Sequence, residues 1–323
     1  ERDLGLQIPL DVYFQDPLVA AQDPSMAFDK NFFVEWEPGL ANGPTSARFA
    51  VVDYNGDTGT LAPPAEWDED KGKFVYDGRV LNKENKEPLQ FHQVNVWAIL
   101  QRALAFFEGG YGLGRHIPWG FEGNRLIVVP HAGQGKNAFY DRRSKSLQFY
   151  YFDQENEEQE NERIFTCLST DIINHEFGHA VLDGVRPHYV ESSSVETAAF
   201  HEFMGDITAI LIILRNNEFR RFLADKTDGR LSKANQLSSI AEQFGNEVGD
   251  KPYLRTAQNE LKMSDVRGDK RPHHVSQVMT GAMFDILLSL ANHFVEERDR
   301  TPRQAFWDAV QRMQRIAIQP LDL

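Results

Sequence analysis

The sequence at positions 174–180 reads Asn-His-Glu-Phe-Gly-His-Ala, and it limits what the surrounding chain can fold into. We predict a helix over Asp171–Asp183. In such a helix His175 and His179 are four residues apart, so they project from one face, one turn above the other. Both imidazoles can then reach a single metal ion.

Glu176 follows the first of these histidines directly. Its side chain is turned too far around the helix to be the natural third ligand, but it would lie beside the metal's open coordination position. A carboxylate there suits a general base acting on water. This H-E-x-x-H arrangement is typical of zinc hydrolysis. The alternative is an amphipathic helix on which one histidine caps or packs and Glu176 lies on a solvated edge.

The composition indicates a globular chain with a sizeable core. The 323 residues are 41% hydrophobic and 11% aromatic, enough for one large domain or two lobes. The net charge of −14 and the pI near 5.2 argue against nucleic acid as a partner, because a phosphate-binding surface needs clustered Lys and Arg. No run of 18 apolar residues occurs, so we expect no membrane segment. The sequence opens with Glu1-Arg2-Asp3 rather than a signal peptide, and we expect a processed or trimmed chain.

Cys167 is the single cysteine of the sequence. No internal disulfide can form, so stability must come from packing or metals. Phe165 and Leu168 lie close by in the sequence and predict a buried thiol. The cellular compartment stays open, because secreted bacterial enzymes can also lack disulfides.

The chain changes from a β-rich first part to a mainly helical second part, which predicts an α+β fold. Two runs that end in Asn-Gly or Asp-Gly turns predict strands in hairpins at Ala47–Tyr54 and Lys73–Tyr76. Two further apolar runs predict buried or half-buried strands at Leu126–Val129 and Leu147–Phe152. Apolar runs with start and stop signals predict further helices at Phe91–Glu108, from a capping pattern at 193–196 to about Leu214, at Lys233–Phe244, at His274–Phe294 and after Thr301.

Glu202 is the predicted third metal ligand. A catalytic zinc usually takes three protein ligands and leaves one position for water. Glu202 lies 27 residues after His175, in a helix whose second half is apolar all round, where a buried carboxylate is costly without a cation or a hydrogen-bond donor. Asp206, one turn further on, can accept the free ring N–H of a ligand histidine, which we assign to His175. The alternative for both carboxylates is an exposed helix edge, and His201 is expected to pack or lie at the surface.

These motifs together resemble the thermolysin-like (gluzincin) metallopeptidases. That family has H-E-x-x-H and then E-x-x-x-D on the next helix, matched here by His175–His179 and Glu202–Asp206. Asn137 and Ala138 are similar to the start of the family's N-A-F-W edge-strand motif, which holds the substrate backbone. Arg255 is similar to an arginine that contacts a substrate carbonyl.

The resemblance also implies groups that stabilise an oxyanion. His274 is similar to the histidine with this role, and Asp269, five residues earlier, to the aspartate that orients it. Tyr189 is near the position of the family's second oxyanion donor, one residue short of the usual spacing. His273 competes with His274 for the role of the histidine.

The family's main calcium site is incomplete in this sequence. Asp171 matches a calcium ligand of the family, but Ile213 stands where the next helix would supply a carboxylate. We therefore expect this Ca²⁺ site to be absent or rebuilt.

The resemblance covers roughly residues 90–310 and implies a two-lobed zincin fold with the active site between the lobes. The β-rich N-terminal lobe would span 1–165 and hold the buried helix and the edge strand, and the mainly helical C-terminal lobe, 166–323, would carry the zinc site. The implied protein is a monomeric, secreted or cell-envelope zinc endopeptidase acting on polypeptides. A cytoplasmic location, a zinc exopeptidase and a catalytically silent zinc-binding protein remain the alternatives.

Overall fold

The computed structural model describes residues 6–14, 27–29, 31–153, 163–191, 194–227, 239–240, 255–257, 259–297 and 300–323. These residues form both sheets and helices, which is consistent with an α+β fold. They fall into two compact units. The first holds the described residues up to Ala103 and Phe121–Phe177, and the second holds Leu104–Gly120 and the described residues from Gly178 onward. The predicted lobes, 1–165 and 166–323, remain a prediction.

Short strands supply most of the regular structure of the first unit. In chain order they are β1 (Gln7–Pro9), β2 (Phe33–Glu35), β3 (Phe49–Val51), β4 (Tyr54–Asn55), β5 (Thr60–Leu61), β6 (Glu66–Asp68), β7 (Lys73–Tyr76), β8 (Arg79–Val80), β9 (Leu126–Val129), β10 (Ala138–Asp141), β11 (Ser146–Phe149), β12 (Tyr151–Asp153) and β13 (Arg163–Phe165). The hairpins predicted from the turn residues, β4–β5 and β7–β8, are confirmed. Asp77 and Gly78, between β7 and β8, have positive φ values of 50° and 72°, as a type I′ turn requires.

A four-stranded sheet with the order β10-β11-β9-β3 is the framework of the first unit. β9 pairs in parallel with β3 and β11, and β10 pairs antiparallel with β11. In β9, Leu126 and Val128 are buried and the residues between and after them are half-buried, which is the alternation of a strand with one face on the core. β10 lies at one end of this sheet.

The helix α1 (Leu89–Glu108) is the buried helix that the sequence predicted. Every residue from Phe91 to Leu100 is buried, including several polar ones. Their side chains are satisfied inside the first unit: Gln93 accepts a hydrogen bond from Ala65 N at 2.7 Å, and Asn95 accepts one from Tyr13 N at 2.9 Å.

Helices dominate the rest of the described chain. They are α2 (Thr170–Val185), α3 (Val195–Arg215), α4 (Asn217–Lys226), α5 (Pro272–Glu297) and α6 (Pro302–Ile318), with 3₁₀ turns at Thr166–Leu168, Pro187–Tyr189 and Gln319–Asp322. Ser194 caps α3 by accepting from Thr197 N at 3.2 Å. The capping box predicted at Thr301 is present, with Gln304 as its reciprocal partner.

The helix predicted over Lys233–Phe244 is wrong at the two positions of that range that the structure describes. Residues 239–240 form a strand, β14 (Ser239–Ile240), which pairs antiparallel with β15 (Arg255–Thr256). The remaining positions lie outside the described residues. The secondary structure of residues 239–240 is determined by pairing with a strand 15 residues away in the sequence. A helical sequence pattern carries no information about such a partner.

Two helices, α3 and α5, are long and apolar enough to cross a membrane by length and composition alone. In the most apolar 18-residue stretch of each helix, 72% is buried inside the protein in α3 and 33% in α5. Core helices of soluble proteins can have the same length and composition. The expected absence of a membrane segment stays a prediction.

Candidate metal centre

The residues of the H-E-x-x-H motif lie on α2. His175 and Glu176 are buried, and His179 is half-buried. One donor atom from each of the three lies within 4.8 Å of the other two. Zinc bonds of about 2.0–2.2 Å place neighbouring tetrahedral donors about 3.3 Å apart, so small side-chain rotations would bring both imidazoles onto one ion.

Two glycines allow α2 and α3 to approach closely. A Cβ on Gly178 would lie 3.0 Å from Gly205 Cα, 3.0 Å from Met204 O and 3.1 Å from Thr208 Oγ1. A side chain at position 178 would force these neighbours to shift by a few tenths of an ångström. Glycine inside a helix costs about 1 kcal/mol relative to alanine, so its presence here is explained by packing. Gly178 and Gly205 were not predicted to have a role, although a glycine inside a helical pattern can indicate close packing.

The close approach brings Glu202 of α3 to His179 of α2. Glu202 Oε1 lies 3.9 Å from His179 Nε2, somewhat wider than the separation of two donors on one zinc ion. The other carboxylate oxygen, Oε2, lies 2.7 Å from Nδ1 of His273. One oxygen of Glu202 therefore faces the motif helix while the second accepts a hydrogen bond from His273.

Asp206 is fully buried one turn beyond Glu202, at 1% exposure. Its Oδ2 accepts a hydrogen bond from Thr280 Oγ1 of α5 at 3.3 Å. The predicted hydrogen bond from His175 to Asp206 stays a prediction. His201 is buried rather than exposed, and its ring lies 5.7 Å from that of His179 at an interplanar angle of 33°.

His274 and Asp269 form a pair at the start of α5. His274 Nδ1 lies 2.6 Å from Asp269 Oδ2. Arg271 donates to both oxygens of the same carboxylate, from Nε at 3.0 Å and from Nη2 at 2.7 Å. The Arg271 guanidinium, with help from His274, holds the pKa of Asp269 well below its usual range. The sequence motifs did not indicate Arg271. The two adjacent histidines thus have different partners: His274 contacts Asp269, and His273 contacts Glu202.

Tyr189 ends the short 3₁₀ helix Pro187–Tyr189 and is 40% exposed. Its ring meets Phe200 of α3 edge to face, with ring centroids 5.9 Å apart. This contact fixes the ring and leaves a substantial part of the side chain in solvent.

The substrate-binding residues predicted from the edge-strand motif lie in the first unit. Ala138 begins β10, and the exposed Asn137 precedes it. Asn137 Oδ1 accepts from Ala138 N at 3.0 Å, and Asn137 O accepts from Tyr150 N at 3.1 Å. Arg255 belongs to β15 by its backbone, and its side chain lies outside the described part of the structure.

The donor set fits zinc better than calcium. Two imidazole nitrogens and one carboxylate are a typical ligand set of a catalytic zinc, whereas calcium takes oxygen donors alone. The predicted loss of the family's calcium site stays a prediction. Ile213, in place of a carboxylate, is buried and apolar and can supply no ligand.

Comparison with known proteins gives little guidance. No family model and no curated protein matches the chain. Solved structures that do match include the precursor of protealysin, a metalloproteinase from Serratia proteamaculans. That protein is 14% identical, with a TM-score of 0.41, and the match covers 86% of this chain and 87% of the other. This weak similarity supports no conclusion about function.

Proposed function

We propose that this chain is a zinc-dependent metallopeptidase that hydrolyses internal peptide bonds. One observation carries the proposal. His175, Glu176 and His179 share one helix with their donor atoms within 4.8 Å, and Glu202 of the next helix lies 3.9 Å from His179. A purely structural zinc site would need no buried carboxylate next to the ligands to act as a base.

His175, His179 and Glu202 would hold the ion. Zinc, when bound there, acts as a Lewis acid that lowers the pKa of water and polarises a carbonyl group. His273 would orient Glu202 through the 2.7 Å contact with Oε2, which leaves Oε1 for the metal.

Glu176 would carry the proton during the reaction. Its buried carboxylate takes a proton from the attacking water and later delivers it to the leaving amine.

His274 would stabilise the oxyanion. Its Nδ1–H donates to Asp269, so Nε2–H is the donor left for the substrate. Both ring nitrogens donate only in the imidazolium form. One such donor typically contributes about 3 kcal/mol. The hydroxyl of Tyr189 would be the second donor.

A polypeptide substrate would add a strand to β10. β10 ends the four-stranded sheet, and its outer edge pairs with no strand in the part of the chain that the structure describes. Backbone hydrogen bonds to such an edge are a common mode of peptide binding. Asn137, Ala138 and Arg255 would contact the peptide backbone. On the same resemblance we propose a monomeric, secreted or cell-envelope enzyme that needs neither nucleic acid nor a membrane.

The substitution Glu176→Gln tests the proposal. It keeps the shape of the side chain and removes the base, so we expect zinc content to be unchanged and kcat to fall about 10²- to 10⁴-fold. The assay is cleavage of an internally quenched peptide blocked at both ends, together with metal analysis. Glu87→Gln, an exposed carboxylate before α1, is the matched control and should leave both unchanged.

Other outcomes separate the alternatives. Full activity in Glu176→Gln would remove this residue from the mechanism. Cleavage limited to peptides with a free amino terminus would indicate an exopeptidase. Bound zinc without cleavage of casein or a peptide library would indicate a silent zinc-binding protein. Glu202→Ala should lose the zinc equivalent of this site, and an undiminished zinc content would mean that the third ligand is another residue.

A further inference from the structure

A second cluster of metal-binding side chains lies inside the first unit. His92 belongs to α1, His131 follows β9, and Cys167 lies in the 3₁₀ turn Thr166–Leu168 just before α2. All three are buried, at 6%, 4% and 0% exposure. One donor atom from each lies within 4.8 Å of the other two.

The donor atoms are close to the spacing that zinc imposes. His92 Nδ1 lies 2.9 Å from His131 Nε2, and Cys167 Sγ lies 3.9 Å from the same nitrogen. Zinc–nitrogen bonds of about 2.0–2.1 Å and a zinc–sulfur bond of about 2.3 Å give tetrahedral separations of about 3.3 Å and 3.6 Å. An ion would therefore move the two rings apart by roughly 0.4 Å and bring the sulfur closer by a similar amount.

Asp53 orients His131 for this role. Both carboxylate oxygens lie 2.9 Å from His131 Nδ1, and Oδ2 also accepts from Gln93 Nε2 at 2.8 Å. Donation from Nδ1–H to the carboxylate fixes the tautomer and directs the lone pair of Nε2 toward His92 and Cys167. A carboxylate behind a histidine is the usual support of a metal ligand.

The surroundings exclude solvent and hold the cysteine in place. Phe165 packs against both imidazoles, with its ring centroid 4.6 Å from that of His92 and 5.3 Å from that of His131. Asn95 Nδ2 donates to the carbonyl of Cys167 at 3.3 Å. The three donors thus project from rigid, buried elements of the first unit.

The charge of the cluster favours a divalent ion. Asp53 is buried at 6% exposure, and the hydrogen bonds to its carboxylate in the described part of the chain come from His131 and Gln93 rather than from Lys or Arg. A thiolate at Cys167 and the Asp53 carboxylate together balance the two charges of Zn²⁺. A monovalent ion such as Cu⁺ would leave one negative charge in this apolar environment, which is unfavourable.

We propose that His92, His131 and Cys167 bind a second zinc ion that stabilises the first unit. Binding breaks the S–H bond of Cys167, forms a sulfur–zinc bond and releases the proton to solvent. The fourth position falls to water or another small ligand. The competing account is a hydrogen-bonded chain of His92, His131 and Asp53 beside an ordinary buried thiol.

Cobalt substitution tests this directly, because the chain contains a single cysteine. We expect the metal-free protein, kept reduced and titrated with Co²⁺ alone, to develop a thiolate-to-cobalt charge-transfer band in the near ultraviolet. Any such band must come from Cys167. With Zn²⁺ alone we expect two equivalents per chain and about one proton released from the thiol at the second site.

Variants show which residues bind each of the two zinc equivalents. Cys167→Ser and His92→Ala should each lose the band and one zinc equivalent, and the melting temperature should no longer rise when that equivalent is added. His116→Ala is the control, because it removes a histidine whose side chain is 92% exposed. It should keep both the charge-transfer band and the zinc equivalent. Glu202→Ala should lose the other equivalent and keep the band, so failure of the proposed peptidase site is distinguishable from failure of this one.

A wild-type protein that binds cobalt without a charge-transfer band would overturn the proposal. A zinc content that stays the same in His92→Ala would do so too. Because the band is measured on the wild-type protein, the test does not depend on whether the Cys167→Ser variant folds.

Discussion

Replacing Gly178 by alanine should weaken zinc binding at the motif helix more than it destabilises the fold. The added Cβ would lie 3.0 Å from both Gly205 Cα and Met204 O. Carbon atoms pack comfortably at about 3.5–4.0 Å, so α2 and α3 would have to separate by roughly 0.5 Å. Overpacking of this kind costs about 1–3 kcal/mol, and alanine recovers about 1 kcal/mol in helix propensity. The net loss of stability is therefore about 0–2 kcal/mol.

The metal site is more sensitive to the same displacement. His179 follows Gly178 directly, and Glu202 lies three residues before Gly205, so separating the helices separates the two ligands. Metal–ligand distances tolerate changes of only about 0.2 Å. The gap between His179 Nε2 and Glu202 Oε1 is already 3.9 Å. We expect zinc affinity to fall about 10- to 100-fold, the range seen when the support of a metal ligand is removed.

The assay pairs a zinc competition titration with thermal unfolding of the metal-free protein. Gly110→Ala is the matched control, because a Cβ there has no neighbour within 4 Å. Gly178→Val, with a larger side chain, should lower the zinc affinity and the melting temperature further. If Gly178→Ala binds zinc as tightly as the wild type and melts at a higher temperature, helix propensity dominates and the packing explanation is wrong.

Two further predictions concern the first turn of α5 and the residues just before it. His273→Ala removes the 2.7 Å contact with Glu202, so zinc affinity should fall. Because His273 is 63% exposed, we expect a fall of about tenfold, with kcat at saturating zinc close to that of the wild type. An unchanged zinc affinity in a competition titration would show that His273 does not support the ligand. Arg271→Ala should raise the pKa of Asp269, which Arg271 lowers. The Asp269 carboxylate is protonated only as the pH falls through its depressed pKa, so without Arg271 this protonation should begin at a higher pH. The acid limb of the pH–rate profile should therefore move to higher pH. Lys270→Ala removes the neighbouring charge and should leave the profile unchanged.

Much of the helical structure follows from local signals in the sequence. The capping box at Thr301 and the apolar segment from Phe91 to Glu108 predict α6 and α1 because helix ends and helix faces depend on residues a few positions apart. The Asp77-Gly78 turn predicts its hairpin for the same reason. The helix predicted over Lys233–Phe244 is wrong at residues 239–240 because these residues pair as a strand with a segment further along the chain.

The two histidine clusters differ in how far the spacing of their residues in the sequence predicts them. His175 and His179 can be matched to one ion because the helix fixes their relative positions, whatever the rest of the chain does. His92 and His131 are 39 residues apart in sequence, and Cys167 is 36 residues further on, so only the packing of a helix, a sheet and a turn brings them together. Spacing alone predicts nothing there, and the lone cysteine had indicated only a buried thiol. A donor set assembled this way can bind metal only once the first unit has folded, so its zinc affinity should fall together with the stability of that unit, whereas the motif on α2 needs only the helix and the approach of Glu202.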